Sequence, residues 1–238
     1  MAYKLITKCT IAAGVFLSLW TVGANQAQAV VLVNGSTQGY YNSSLGDLYP
    51  GNPADPRAAY FRGPNVSTGD PTLSFPTAPD LTGVTRLGSW LSNPTTAVTN
   101  GFWTGLQAIP ATWAVNSETA IIYEVDGGSN GVSNLIGNFG VDNGIFVWVN
   151  GQYKFGATAP GGAFAFEYPN INLGSLNPGK NFIQILRADH GGGTGFVTSI
   201  TGDYIPKPVP EPTTTLSVLL LGAFGVGSTL KRKQEQKI

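Results

Sequence analysis

Hydrophobic and polar positions alternate in short runs, and no stretch between residues 30 and 209 keeps a helical period over three turns. Alternation with period two is typical of strands that have one buried face. Clusters of glycine, asparagine and proline separate the runs, as expected for turns. The pattern predicts a mainly β domain, an antiparallel β-sandwich or jelly roll. Its predicted strands lie at 120–125, 144–149, 163–168, 181–187 and 195–201.

Residues 40–100 have a different pattern, because prolines interrupt every long element. A proline fixes its own φ and lacks a backbone donor, so it disrupts helices and central strands. Aromatic and leucine side chains in the same segment supply material for a core. We therefore expect long proline-rich loops with a few short strands, packed on the sandwich rather than forming a separate domain.

An Asn-Gly pair at 150–151 lies between two β-prone runs, which is the strongest short signal for a hairpin. With these two as the turn residues, Trp148 lies opposite Tyr153 and Phe146 lies opposite Phe155. Cross-strand partners share a face of the sheet. The four aromatic side chains are therefore predicted to form one patch.

Two alternatives are open for this patch. Gln152 and Lys154 fall on the other face with the aliphatic residues, so both faces are not expected to be equally buried. Either the aromatic rings belong to the core, or some of them are exposed and stack on sugar rings. The second alternative makes Phe146, Trp148, Tyr153 and Phe155 candidate ligand-binding residues.

Composition narrows the expected partners. The whole chain has 13 basic and 13 acidic residues, but six of the basic ones lie in the two terminal segments. Residues 30–209 keep seven basic and eleven acidic residues, a net charge of −4, so we expect no nucleic-acid partner. The single cysteine, Cys9, lies near the amino terminus, so the domain is predicted to fold without disulfides.

The amino-terminal segment has the pattern of a secretory signal peptide. Two lysines precede an uncharged apolar stretch at 11–22, and the small residues Ala27 and Ala29 occupy the positions that a signal peptidase reads. We expect residues 1–29 to be removed by cleavage after Ala29. The alternative is an uncleaved anchor.

The carboxy-terminal segment combines three parts. Pro210, Glu211 and Pro212 precede an apolar run at 213–230, which as a helix is roughly 27 Å long and matches a bilayer core. Basic residues then follow, and they are expected to stay cytoplasmic. The alternative is a proline linker before an ordinary anchor. The predicted segment is 207–238, with the motif at 209–212, a transmembrane helix at 213–230, and a basic tail at 231–238 that begins with Lys231, Arg232 and Lys233.

The order of these three parts resembles the PEP-CTERM family of bacterial surface proteins, whose tail is handled by an exosortase. The resemblance implies an exported protein with signal peptidase and an exosortase-type enzyme as processing partners. The precursor would be tethered in the membrane by its helix, and the mature form would lie at the cell surface or outside the cell. Proteins of this family are associated with exopolysaccharide production and biofilm.

Acidic side chains in the predicted turns are candidate calcium ligands, because calcium prefers carboxylate and carbonyl oxygens. The best candidates are Asp126, Asp142 and Asp189, although aspartate is also an ordinary turn residue. The only histidine is His190, which excludes sites built from several histidines. We assign no catalytic residue and expect no cofactor other than calcium.

The segment 142–201, with its Asn-Gly hairpin and the later Leu176–Asn181 loop, resembles galactose-binding-like and related jelly-roll modules. No binding residue follows from this likeness. The chain is predicted to have one sandwich domain at 30–206 and to be a non-catalytic surface or matrix protein that binds polysaccharide. The alternatives are a secreted glycan-active enzyme, or a structural adhesion or surface-layer protein.

Overall fold

The computed structural model describes residues 29–62, 72–159 and 165–208. The predicted leader up to residue 28 and the predicted motif, transmembrane helix and basic tail at 209–238 lie outside the described residues. The first two residues of the predicted strand at 163–168 do so as well, and the rest of this prediction was wrong, because residues 165–167 are not strand and the next strand begins at Tyr168. In the described ranges, no helix is both long and apolar enough to cross a membrane.

Strands are the main regular structure of the described residues, and the helices among these residues are single turns. Two 3₁₀ turns cover Pro56–Ala59 and Thr85–Leu87, and a single α-helical turn, α1, covers Pro94–Ala97. The strands are β1 (Ala29–Val33), β2 (Gln38–Gly46), β3 (Leu73–Ser74), β4 (Gln107–Ala108), β5 (Glu118–Asp126), β6 (Val132–Asp142), β7 (Gly144–Val149), β8 (Gln152–Thr158), β9 (Tyr168–Leu176), β10 (Lys180–Ala188) and β11 (Gly195–Tyr204).

These strands form two antiparallel sheets. The four-stranded sheet has the order β1-β11-β6-β9, and the seven-stranded sheet has the order β3-β8-β7-β10-β5-β2-β4. Side chains from both sheets meet in one buried cluster, for example Ile121, Val147 and Ile185 with Phe139 and Leu173. The prediction of a mainly β, antiparallel fold is confirmed, and the two sheets pack face to face as in a sandwich.

The outer face of the seven-stranded sheet is also buried. Trp90, Trp103 and Phe61 belong to the segment between β2 and β4, and they pack on Phe146 and Trp148 of β7. We call the described part of this segment, residues 47–62 and 72–106, the cover. The predicted packing of the proline-rich loops on the sheet is confirmed. One detail was wrong: β2 continues to Gly46 as a long strand paired with β5, because the first proline comes only at Pro50.

Candidate functional site

The predicted hairpin is present, with Asn150 and Gly151 both at positive φ, as a two-residue turn of this kind requires. Trp148 lies opposite Tyr153, as expected from the turn. The register then shifts, so that Phe155 lies opposite Val147, and Phe146 lies opposite a glycine. The shift is a β-bulge that inserts one extra residue into β8.

The bulge moves Phe155 to the opposite face of the sheet. Its ring stacks on Phe139 with centroids 6.2 Å apart and meets Tyr168 at 5.4 Å, inside the core between the sheets. The predicted single patch of four aromatic side chains was therefore wrong. An extra residue reverses the alternation of every side chain beyond it, and this reversal is what separates Phe155 from Phe146.

The remaining three aromatic residues lie beneath the cover. Phe146 is fully buried, and Trp148 is 2 % exposed, with the ring of Trp90 at 5.3 Å from it. The hydroxyl of Tyr153 donates to the carbonyl oxygen of Phe75 at 2.8 Å. The structure thus places these residues in the core, and they do not form an exposed platform. The expectation that the two faces would not be equally buried was wrong for β7, whose six residues are all buried, because the cover shields the second face.

Hydrogen bonds attach the cover to the sheet at the hairpin turn. The Gln184 side chain accepts from the backbone N–H of Gly151 at 3.1 Å and donates to the carbonyl oxygen of Trp90 at 3.1 Å. A Cβ on Gly151 would collide with the carbonyl oxygen of Leu91. These contacts explain why the turn and the aromatic residues beside it have a structural role.

The three calcium candidates do not converge. Asp126 faces the start of β10 and accepts from the N–H of Gly128, whereas Asp189 follows the end of β10 and accepts from the N–H groups of Asn116 and Gly191. The nine residues of β10 separate the two positions by roughly 30 Å. Asp142 accepts from the side chain of Asn143 near the second position. No group of three or more potential metal-ligating side chains occurs in the described ranges.

Other titratable groups are also held in local contacts. The buried His190 has its Nδ1 at 3.2 Å from the carbonyl oxygen of Arg62, and its backbone N–H donates to Asn143. Glu124 forms an ion pair of 2.8 Å with Lys180 on the seven-stranded sheet. Glu167 lies just before β9 and accepts from the backbone N–H of Val141, which belongs to the four-stranded sheet. Tyr123 and Val125 point into the core between the sheets, so Glu124, which lies between them in β5, points to the opposite face and away from that core.

The most ligand-like feature is a cleft of about 450 Å³ between the two sheets. Tyr123 of β5 forms one wall, and Phe196 and Thr198 of β11 form the other. The exposed ring of Phe166 stands at its edge. Thr198 is 4 % exposed, and its Oγ1 makes no hydrogen bond to any described residue. The sequence carries no local signal for this cleft because its walls come from strands distant along the chain.

Behind the cleft lies a fully buried arginine, Arg187 of β10. Its Nε donates to the Thr119 hydroxyl at 3.0 Å, and its Nη1 donates to the carbonyl oxygen of Pro110 at 2.9 Å. The rings of Trp113 and Phe196 lie over the guanidinium at 4.2 and 4.8 Å. Burial lowers the pKa of Arg187 to about 10. Because Pro110 lies between two residues that line the cleft, Arg187 fixes one rim of it.

A second cleft, of about 340 Å³, is more open and carries charge. Asp47, Arg57 and Arg86 contribute to its lining. Nearby, the buried Glu118 accepts from the N–H of Leu48 at 2.6 Å, and burial raises the pKa of Glu118 to about 8. The two clefts therefore differ in chemistry, since one is neutral and largely apolar and the other is charged.

The fold and the inter-sheet cleft together define a two-layered antiparallel β protein with a neutral, partly open candidate site between its layers. No protein-family model matches the chain, and no curated protein matches its sequence. What the chain does must therefore follow from its own residues and their geometry.

Proposed function

We propose that this chain is an exported, non-catalytic protein of the cell surface or extracellular polymer matrix, and that it binds polysaccharide. The observation that carries the proposal is the order of parts at the carboxy terminus: Pro210-Glu211-Pro212, the apolar run 213–230 and the basic residues 231–233. The leader pattern at 1–29 supports the same topology, because both ends leave the domain on the outer side of the membrane.

The lining of the inter-sheet cleft favours binding over hydrolysis, because no carboxyl group lines it within the described residues. A glycosidase needs two carboxyl groups about 5–10 Å apart across a cleft. Glu124 and Glu167 are bound in separate contacts on different sheets. The inter-sheet cleft instead combines aromatic rings with hydroxyl groups, which is the chemistry that sugar rings require.

We propose a jelly roll related to galactose-binding-like modules. The Asn-Gly turn between β7 and β8 and the Pro178-Gly179 turn between β9 and β10 support it, because both fall at the positions that the likeness implies.

Sorting can be tested in a native host that carries an exosortase, with an epitope tag inserted between Tyr204 and Pro206 so that it survives cleavage at both ends. Fractionation and mass spectrometry of the mature ends should find the tagged protein at the surface or in the medium, shortened at both termini. Replacing Pro210, Glu211 and Pro212 by alanine should leave a membrane-bound precursor.

A matched control for the motif is available four residues upstream. Replacing Pro206 and Pro208 by alanine removes the same number of prolines outside the motif and should leave processing unchanged. Cytosolic protein at full mass, with neither end cut, would refute the sorting proposal. Polysaccharide binding is tested separately, with a glycan array probed by the purified full-length chain.

A structural adhesion role is the second candidate, and the edge strand β1 favours it. Within the described ranges β1 pairs only with β11, and it carries Val31 at 59 % exposure. An open edge with an apolar side chain is a template for pairing between chains. Light scattering should then show self-association that Val31→Lys removes, and a monomer at all concentrations would rule this role out.

A further inference from the structure

One wall of the inter-sheet cleft carries a buried polar group without a hydrogen-bond partner. Thr198 lies in the middle of β11 and lines the cleft, and its Oγ1 is buried without a hydrogen-bond partner among the described residues. Leaving a buried hydroxyl unpaired costs about 1–3 kcal/mol. Rotation about χ1 moves the hydroxyl of a threonine to another staggered position, so a ligand in the cleft can recover this bond.

The walls also offer aromatic surface. Phe166 is 47 % exposed at the edge of the cleft, and Phe196 forms part of its wall. The C–H faces of a pyranose ring are apolar and pack on aromatic rings, whereas its hydroxyl groups need donors and acceptors. The volume of about 450 Å³ lies within the range of about 300–1,000 Å³ that is typical of small-molecule sites.

The charge of the cleft restricts the ligand further. Its polar lining residues are Asn34, Tyr123, Thr198 and Ser199, and no charged side chain lines it within the described residues. A carboxylate entering such a site would lose its hydration without gaining a charged partner. A neutral ligand therefore fits better than an acidic one.

We propose that the inter-sheet cleft is the polysaccharide-binding site and that it holds one neutral pyranose unit. This inference rests on the proposed polysaccharide-binding function. The sugar ring packs its C–H face against Phe166 and Phe196, and one of its hydroxyl groups bonds to Oγ1 of Thr198. Arg187 acts behind the wall, where its bond to the carbonyl oxygen of Pro110 keeps the rim at the spacing that the ring needs.

The test uses the full-length chain in a detergent without a sugar headgroup. Saturation-transfer NMR and calorimetry measure binding of glucose, galactose, mannose and N-acetylglucosamine, with glucuronate and galacturonate as acidic counterparts. We expect at least one neutral sugar to bind and to bind more tightly than the uronates. Thr198→Val should weaken the affinity for that sugar by about five- to tenfold, which corresponds to the loss of one hydrogen bond. Thr198→Ser should restore the affinity.

Folding is controlled in two ways. Thr198→Val removes an unpaired hydroxyl with little change of shape, so its melting temperature should equal or exceed that of the wild type. Phe166→Ala should weaken the affinity for the sugar several-fold. The control is Phe102→Ala, because Phe102 has a similarly exposed ring, at 43 %, and does not line the cleft. Phe102→Ala should bind as the wild type does.

The outcomes separate this inference from the function on which it rests. If no glycan or monosaccharide binds a folded wild-type chain, the polysaccharide proposal fails, and the inference fails with it. If a glycan binds but Thr198→Val and Phe166→Ala leave its affinity unchanged, the site is elsewhere and only this inference is overturned. Preference for a uronate would overturn the assignment of a neutral ligand.

Discussion

Glu118 gives the sharpest prediction, because its carboxyl group is buried without a cationic partner among its contacts. It begins β5 with 1 % of its surface exposed, and its Oε2 accepts from the N–H of Leu48 at 2.6 Å. Burial is the largest influence on its pKa and raises it to about 8. The carboxylates of Asp47 and Asp189 act in the same direction, and the bond from Leu48 opposes them only in part.

The sign of the pH effect follows from this direction. A raised carboxyl pKa means that the folded chain prefers the protonated form, so the cost of burying Glu118 is absent below its unfolded pKa of 4.5. Stability then falls as pH rises from 4.5 towards 8 and stays level above that. Each pKa unit corresponds to about 1.36 kcal/mol, so the full cost is ~5 kcal/mol, and ~3 kcal/mol of it develops between pH 5 and pH 8.

Urea unfolding of residues 30–208, followed by tryptophan fluorescence at pH 5 and pH 8, measures this cost. Glu118→Gln keeps an oxygen that can accept from Leu48 but cannot ionise. Relative to the wild type, the variant should gain ~3 kcal/mol of unfolding free energy between pH 5 and pH 8. Other titrating groups cancel in this difference. The depressed pKa values of Asp55 and Asp80 also place their effects below this window.

The control is Glu124→Gln in the same strand, where the glutamate is exposed and pairs with Lys180. Such a surface pair contributes little, and the variant should follow the pH profile of the wild type. Parallel profiles for the wild type and Glu118→Gln would show that Glu118 is solvated in the folded chain, and the argument from burial would be refuted.

Three further substitutions test how the layers are held together, each by urea unfolding. Gly151→Ala should lower the free energy of unfolding by about 2–4 kcal/mol, because the new Cβ collides with the cover and the backbone there has a positive φ. Gly105→Ala should change the free energy of unfolding little, because a Cβ at Gly105 meets open space. Gln184→Ala should cost about 2 kcal/mol and shift tryptophan emission to the red as the cover loosens; unchanged emission would contradict this. Arg187→Lys should lower stability by about 2 kcal/mol, since an ammonium cannot reproduce the two directed bonds and the stacked plane, and a wild-type melting temperature would contradict that role.

The hairpin shows which structural features the local sequence predicts and which it does not. Asn150 and Gly151 predict a two-residue turn because both positions need positive φ. The turn geometry alone then predicts that Trp148 pairs with Tyr153. Nothing in the sequence of β8 marks the extra residue between Tyr153 and Phe155. The face on which Phe155 lies depends on packing against Phe139 and Tyr168, which are far away in sequence.

Three strands of the four-stranded sheet were not predicted, β1, β6 and β9, and for β6 and β9 the reason is related. Gly137 and Gly140 interrupt the apolar pattern of β6, and asparagines at positive φ, Asn134 and Asn170, lie in β6 and β9. These residues have weak strand propensity, so the local pattern does not indicate strands there. Pairing with β11 holds β6 extended despite them, and this pairing is long-range.

The burial of both faces of the seven-stranded sheet has a consequence for function. An aromatic hairpin suggests a sugar platform only while its outer face is free, and Trp90 and Trp103 occupy that face. The cover contributes so many core side chains that removing it to admit a ligand would expose Phe146 and Trp148, each worth about 1.5–3 kcal/mol or more of burial. A ligand site that leaves this core intact must lie elsewhere. The gap between the sheets meets that requirement, because Thr198 and Phe196 line it with no part of the cover displaced.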